Sequence, residues 1–170
     1  IDTPAGCAQG LDYLVSLGHT SIAYVRGPEG SWTDQERLRA LTAAAERHGV
    51  SLHTVGQFLP TMSSGAAAAD VVELSGATAA IFFNDTLAIG ALTRFKSRGV
   101  SVPGDMSVIG CDDIFGASFS EPPLTTVTAF GEEAGRAATD LLISRFAQRD
   151  KSPRVDRIAT HLTVRESAGK

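Results

Sequence analysis

VPGDMSVIGCDDIFGASFSEPPLTTV, residues 102–127, is the stretch on which the reading of the whole chain turns. Pro103 lacks an N–H and disfavours α geometry at Val102, so the chain enters this stretch extended. Met106 to Ile109 is a short apolar run ended by Gly110, the pattern of a buried strand in a parallel sheet. Asp112 and Asp113 follow directly. In an open α/β sheet, ligands bind outside the carboxyl ends of the strands, which puts these two carboxylates where recognition or chemistry occurs. Pro122 and Pro123 then mark an ordered loop before a second extended segment, Leu124 to Val127.

Outward from this stretch, helical and strand patterns alternate. Cys7, Leu11, Leu14 and Val15 recur at helical spacing and stop at Gly18, and Ser21 to Val25 is β-rich and bounded by Gly27 and Pro28. Thr33 with Glu36 has capping-box spacing and opens a helix through Leu38, Leu41 and Ala45 to Gly49, with a strand near Leu52 to Val55. Ser63 or Ser64 suits the cap of a third helix, through Ala67, Val71 and Leu74. Ala79 to Phe83 is a continuous apolar strand. It runs into Asn84-Asp85, a cap for a fourth helix carrying Leu87, Ala88, Ala91, Leu92 and Phe95. Downstream, Ala134, Ala137, Ala138, Leu141 and Leu142 make another amphipathic helix. A charged connector from Gln148 to Arg154 follows, and Ile158, Thr160, Leu162 and Val164 then alternate as a late strand. Strands alternating with helices predict an α/β fold, a Rossmann-like parallel sheet with helices on both faces.

Composition narrows the function. The chain has 170 residues, enough for a substantial core, and a net charge of −4. There is no stripe of clustered Lys and Arg, so this segment is not expected to grip a phosphate backbone itself. Cys7 and Cys111 lack metal-ligand or CxxC spacing and read as free thiols of a reducing compartment. No apolar run approaches membrane-spanning length, and no signal-peptide pattern is read within these residues. Ile1 leads straight into a helical pattern, the look of a segment whose natural start lies upstream.

Catalytic signatures are absent: there is no GxSxG elbow, Walker loop, strand-following GxGxxG or HExxH. His19, His48, His53 and His161 are scattered without metal spacing and read as structural, so neither metal nor cofactor is expected. Asp112 and Asp113 have the composition of a general acid/base pair, but adjacent residues on an irregular segment usually point apart. The stronger pattern is a set of loop residues on one sheet edge: Trp32 after the first strand, Phe58 after the second, Asn84 after the third, Asp112 after the fourth, and Arg37 from the first turn of the second helix. An aromatic face with Arg, Asn and Asp suits a small, polar, hydroxyl-bearing ligand.

LGH at 17–19, FFND at 82–85, VPGDMSVIGCDD at 102–113 and PPLTTV at 122–127 resemble, in order and spacing, the effector-binding domain of the LacI/GalR family of bacterial transcriptional regulators. The resemblance covers nearly the whole chain. It implies a periplasmic-binding-protein-like fold of two hinged subdomains with effector in the cleft between them. Residues 1–127 would then form the C-terminal subdomain, 128–152 a helix belonging to the N-terminal subdomain, and 153–170 a returning strand and tail. Most of the N-terminal subdomain and the helix-turn-helix reader would lie outside the chain.

By the same resemblance, Arg37, Asn84 and Asp112 are effector contacts and Phe58 stands where an aromatic stacks on the ligand. Leu87, Leu92 and Phe119 are candidates for a homodimer interface. The implied partners are a sugar or similar small effector and operator DNA reached through the missing reader. The implied setting is a cytoplasmic repressor with no membrane partner and no enzyme activity. A periplasmic sugar receptor of a transporter and a small α/β enzyme using the carboxylates are the competing readings.

Overall fold

The computed structural model describes residues 1–147 and 155–170. Within them the chain runs α1 (Thr3–Ser16), β1 (Ser21–Val25), α2 (Trp32–His48), β2 (Ser51–Val55), α3 (Met62–Leu74), β3 (Ala79–Phe82), α4 (Asp85–Arg98), β4 (Ser107–Asp112), a 3-10 turn η1 (Phe115–Ser118), β5 (Thr125–Thr128), α5 (Gly131–Ala147) and β6 (His161–Thr163). The six strands form one sheet in the order β2-β1-β3-β4-β5-β6, parallel except for β6, which pairs antiparallel with β5. This is the expected Rossmann-like α/β architecture, closed at one edge by a short reversed strand.

Side-chain alternation along the strands divides the core into two layers. Ile22, Tyr24, Ala79, Ile81 and Ile109 face α1 and α2 together with Cys7, Leu11, Leu14 and Leu41. Ala23, Val25, Phe82 and Val108 face α3 and α4 with Val72, Leu87, Leu92 and Phe95. On that second side the helices touch backbone to backbone: a Cβ on Gly65 would lie 2.1 Å from the Leu87 carbonyl oxygen, and one on Gly90 would lie 2.1 Å from that of Met62. Only glycine permits this approach.

Several local expectations change. The cap of α2 is Ser31, whose hydroxyl accepts from the Asp34 N–H, and not Thr33. The cap of α3 is Thr61 in place of Ser63 or Ser64. Gly110 does not end its strand but lies inside β4. The late strand contracts to His161–Thr163, and the connector assigned to 148–154 lies outside the described residues. The helix expected over 131–147 is present as α5, but it runs clear of the sheet with Leu142, Ile143 and Phe146 mostly exposed. No helix among the described residues is long and apolar enough to cross a membrane.

Candidate functional site

β1 and β3 are neighbours whose connections leave toward opposite ends of the sheet, so the crevice outside their carboxyl ends is the topological switch point where ligands of open α/β sheets bind. A cavity of about 540 Å³ opens there, walled by Thr3, Trp32, Thr33, Glu36, Arg37 and Asp112 among others. Its volume falls within the range of small-molecule sites.

Arg37 forms the floor. It is 4% exposed although fully charged, and three neighbours hold it. Nε–H donates to Thr3 Oγ1 at 3.1 Å, Nη1–H donates to the Phe83 carbonyl, and Nη2 stands 3.6 Å from Asp112 Oδ1. The guanidinium also lies 4.9 Å from the centroid of the Phe83 ring, a cation–π arrangement. A buried arginine with its remaining N–H face toward a cavity is a preorganised fork for an oxygen-rich ligand.

Asp112 projects from a strained strand end. Its φ is 112° and that of Asp113 is 57°, left-handed values that non-glycine residues adopt at a cost of about 1–3 kcal/mol each and that cluster at ligand sites. Partial burial pushes the Asp112 carboxyl above the usual carboxylate range, with the Arg37 charge pulling it back. Asp113 turns away: Arg165 Nη2 donates to its Oδ1 at 2.7 Å and Thr128 Oγ1 to its Oδ2 at 2.9 Å. The two carboxylates therefore do not form an acid/base pair. One faces the cavity and the other ties β5 to the C-terminal tail.

Trp32 is 71% exposed and stands at the cavity rim. Its loop is fixed by Asp34, which is buried and accepts from the Tyr24 hydroxyl at 2.9 Å, from the Gly27 N–H at 2.8 Å and from Arg26 Nη2 at 2.7 Å.

The structure thus brings Trp32, Arg37 and Asp112 together. Phe58 and Asn84 do not wall this cavity. Phe58 folds over Gly56 and packs against the α3/α4 core, and the Asn84 side-chain oxygen accepts the Leu87 N–H at 3.0 Å as the cap of α4. Leu87 and Leu92, expected at an interface, are 0% and 2% exposed and belong to the core of the chain itself. Phe119 is 63% exposed and meets Phe115, itself 87% exposed, edge to face at a centroid distance of 4.7 Å. Ile89 reaches the same turn: a Cβ on Gly116 would lie 3.3 Å from its Cδ1. Sequence reasoning missed Thr3, Asp34, Ile89 and Phe115. Only the three-residue spacing of Ser31 and Asp34 carried any signal for these, because the other contacts cross elements distant in sequence.

His19 hydrogen-bonds Thr78 and Ser107, and His48 bonds Asp12, consistent with structural roles. No group of His, Cys, Asp and Glu suited to holding a metal occurs among the described residues.

The model of the periplasmic-binding-protein-like domain matches residues 11–168, and the chain belongs to that family. Its homologues there are LacI-type transcriptional regulators. It is 34% identical over 173 residues to the regulator CelR of Thermobifida fusca, covering 98% of this chain and 50% of that protein. It is 32% identical over 164 residues to the repressor PurR of Vibrio vulnificus, covering 93% and 48%. Among solved structures, a lac repressor dimer bound to operator and the anti-inducer ONPF superposes with a TM-score of 0.91 at 26% identity, covering all of this chain and 60% of that one. A complex of the regulator CelR with cellobiose superposes with a TM-score of 0.88 at 31% identity, covering 99% and 53%. The chain spans about half the length of the curated relatives it matches.

Proposed function

We propose that this chain is the effector-sensing part of a LacI-type DNA-binding regulator, a repressor, and that the cavity between the starts of α1 and α2 and the end of β4 receives a small hydroxyl-bearing ligand of the sugar class. The observation that carries the reading is the buried Arg37, clamped by Thr3, Phe83 and Asp112 in a cavity that an exposed indole also lines. The guanidinium and carboxylate supply donor and acceptor for vicinal hydroxyls, while Trp32 supplies a flat apolar face for a ring. Asp113, engaged by Arg165 and Thr128, is not paired with Asp112 for acid/base work, which supports binding over catalysis by that pair.

Residues 1–127 form one lobe of the sensor with the tail from residue 155. The exposed apolar side chains of α5 are covered by a second lobe outside the chain, which also connects to a helix-turn-helix reader of operator DNA. Effector between the lobes selects one relative orientation by its differential affinity for the two states, and this alters the spacing of the readers on operator half-sites. The regulator acts as a cytoplasmic homodimer through the face of Ile89, Phe115 and Phe119. The family membership and the operator-bound dimer among its neighbours support this.

The test is the parent gene upstream of residue 1, followed by a mobility-shift assay on the operator it defines. A helix-turn-helix domain and operator release by a sugar are the expected results. A cleavable signal peptide would make the protein an exported receptor and end the DNA reading.

A further inference from the structure

Beneath the cavity, and outside its walls, lies Asp85, the first residue of α4, with 0% exposure. Its carboxylate is shared among three elements. Oδ1 accepts from the Thr126 hydroxyl of β5 at 2.6 Å, and Oδ2 accepts from the Ile114 N–H, where η1 begins, at 2.8 Å. β4 passes directly over it: a Cβ on Gly110 would lie 2.1 Å from Oδ1, so glycine there is what lets the carboxylate reach both donors. Gly110 and Thr126 are register partners across β4 and β5. Asp85 therefore sits at the crossing of the strand end that presents Asp112, the strand that leads to the Ala129 wall of the cavity, and the turn that bears Phe115 and Phe119.

We infer that Asp85 is a positioning residue that couples the effector cavity to the aromatic surface of η1: its carboxylate ties Ile114, at one end of residues 110–114, to Thr126, the cross-strand partner of Gly110 at the other end, so Asp112 and the Phe115/Phe119 face move together. This rests on the sensing role proposed above and adds the residue through which the site communicates. Between Gly110 and Ile114 the backbone carries two left-handed aspartates in succession. Such a conformation persists only where neighbouring contacts over-determine it. Asp85 supplies one of these contacts at Ile114, and the Asp113 bonds to Arg165 and Thr128 supply the others. The carboxylate is the part that reaches the turn and β5 at once.

Asparagine preserves this arrangement, because its carbonyl accepts from the Ile114 N–H while its amide donates to Thr126 Oγ1, a hydroxyl free to reverse its role. Alanine removes both bonds. The experiment compares Asp85→Ala, Asp85→Asn and Val72→Ala in the intact protein, the last a buried truncation on α3, which carries neither Arg37 nor its bonding partners. Two readouts need neither ligand nor dimer: hydrogen exchange of residues 114–120, and the NMR resonance of the Arg37 Nε–H. In Asp85→Ala, exchange at 114–120 accelerates by about tenfold or more, the loss of one buried hydrogen bond, and the Arg37 Nε–H resonance shifts. Asp85→Asn moves neither, and Val72→Ala leaves both unchanged despite its own loss of stability. Movement of one readout without the other in Asp85→Ala overturns the coupling, as does equal movement in Val72→Ala. A failed effector screen or a monomeric protein would instead count against the sensing and dimer readings alone.

Discussion

Replacing Asp85 with asparagine changes the pH dependence of stability in a direction the structure specifies. Burial pushes the carboxyl up to about 6, against an ordinary 3.8, with the bonds from Thr126 and Ile114 opposing and the charges of Asp112 and Asp113 reinforcing the shift. The folded state then holds a proton that the unfolded state has released, so stability falls as pH rises between the two values. The contribution is fully present below about pH 4 and is gone above about pH 6, and a shift of two units is worth on the order of 3 kcal/mol. Asparagine does not titrate and keeps both hydrogen bonds, at the cost of a few tenths of a kcal/mol from the charge lost at the start of α4. Other carboxylates titrate in the same window, but they are common to both proteins and cancel in the difference. Urea unfolding of wild type and Asp85→Asn from pH 4 to pH 7.5 is the assay. The variant is expected to match wild type near pH 4 and to exceed it by about 2–3 kcal/mol at pH 7.5. A difference that stays constant with pH, or one that grows toward acid, would refute the reasoning.

Arg37→Ala strands the Phe83 carbonyl, the Thr3 hydroxyl and the Asp112 carboxylate, and is expected to cost about 3 kcal/mol in unfolding free energy and to weaken effector binding ~100-fold. Operator binding should persist in a reporter that no longer responds to effector, and retained induction would remove Arg37 from the site. Gly90→Ala drives a methyl group into the Met62 carbonyl; a melting temperature lowered by several degrees, with at least about 2 kcal/mol lost, is expected from thermal unfolding. Phe119→Ser should weaken self-association about tenfold or more without lowering the melting temperature of the monomer, as read by sedimentation equilibrium. An unchanged dimer would assign the interface elsewhere.

The alternation of strands and capped helices was legible because β1 and β3 are short, mostly apolar runs between helical patterns, and they match their expected spans to within a residue. Caps were less legible. A helix of fixed composition can begin at any of several nearby Ser and Thr residues, and the loop path selected Ser31 and Thr61. Gly110 was misread as a terminator because the reason for it, the close approach of Asp85, comes from a residue 25 positions earlier. Trp32, Arg37 and Asp112 were found by their places after strands. Asn84 follows the same rule, yet its side chain serves the helix it caps, and Phe58 follows it only to fold back on the core. Leu87 and Leu92 are interface candidates by family resemblance, while the helical phase turns them inward and leaves Ile89 beside η1.

Trp32 offers the most direct measurement, since it is the single tryptophan of the chain and stands exposed at the rim of the cavity. The intact protein is titrated with cellobiose, ribose and purine bases while its emission is followed, in parallel with Trp32→Phe and Arg37→Ala. A saturable blue shift with a sugar, absent in Trp32→Phe and lost in Arg37→Ala, is the expected result. No response to any member of the panel from a protein that binds operator, or a response that survives Arg37→Ala, would contradict the assignment of this cavity as the effector site.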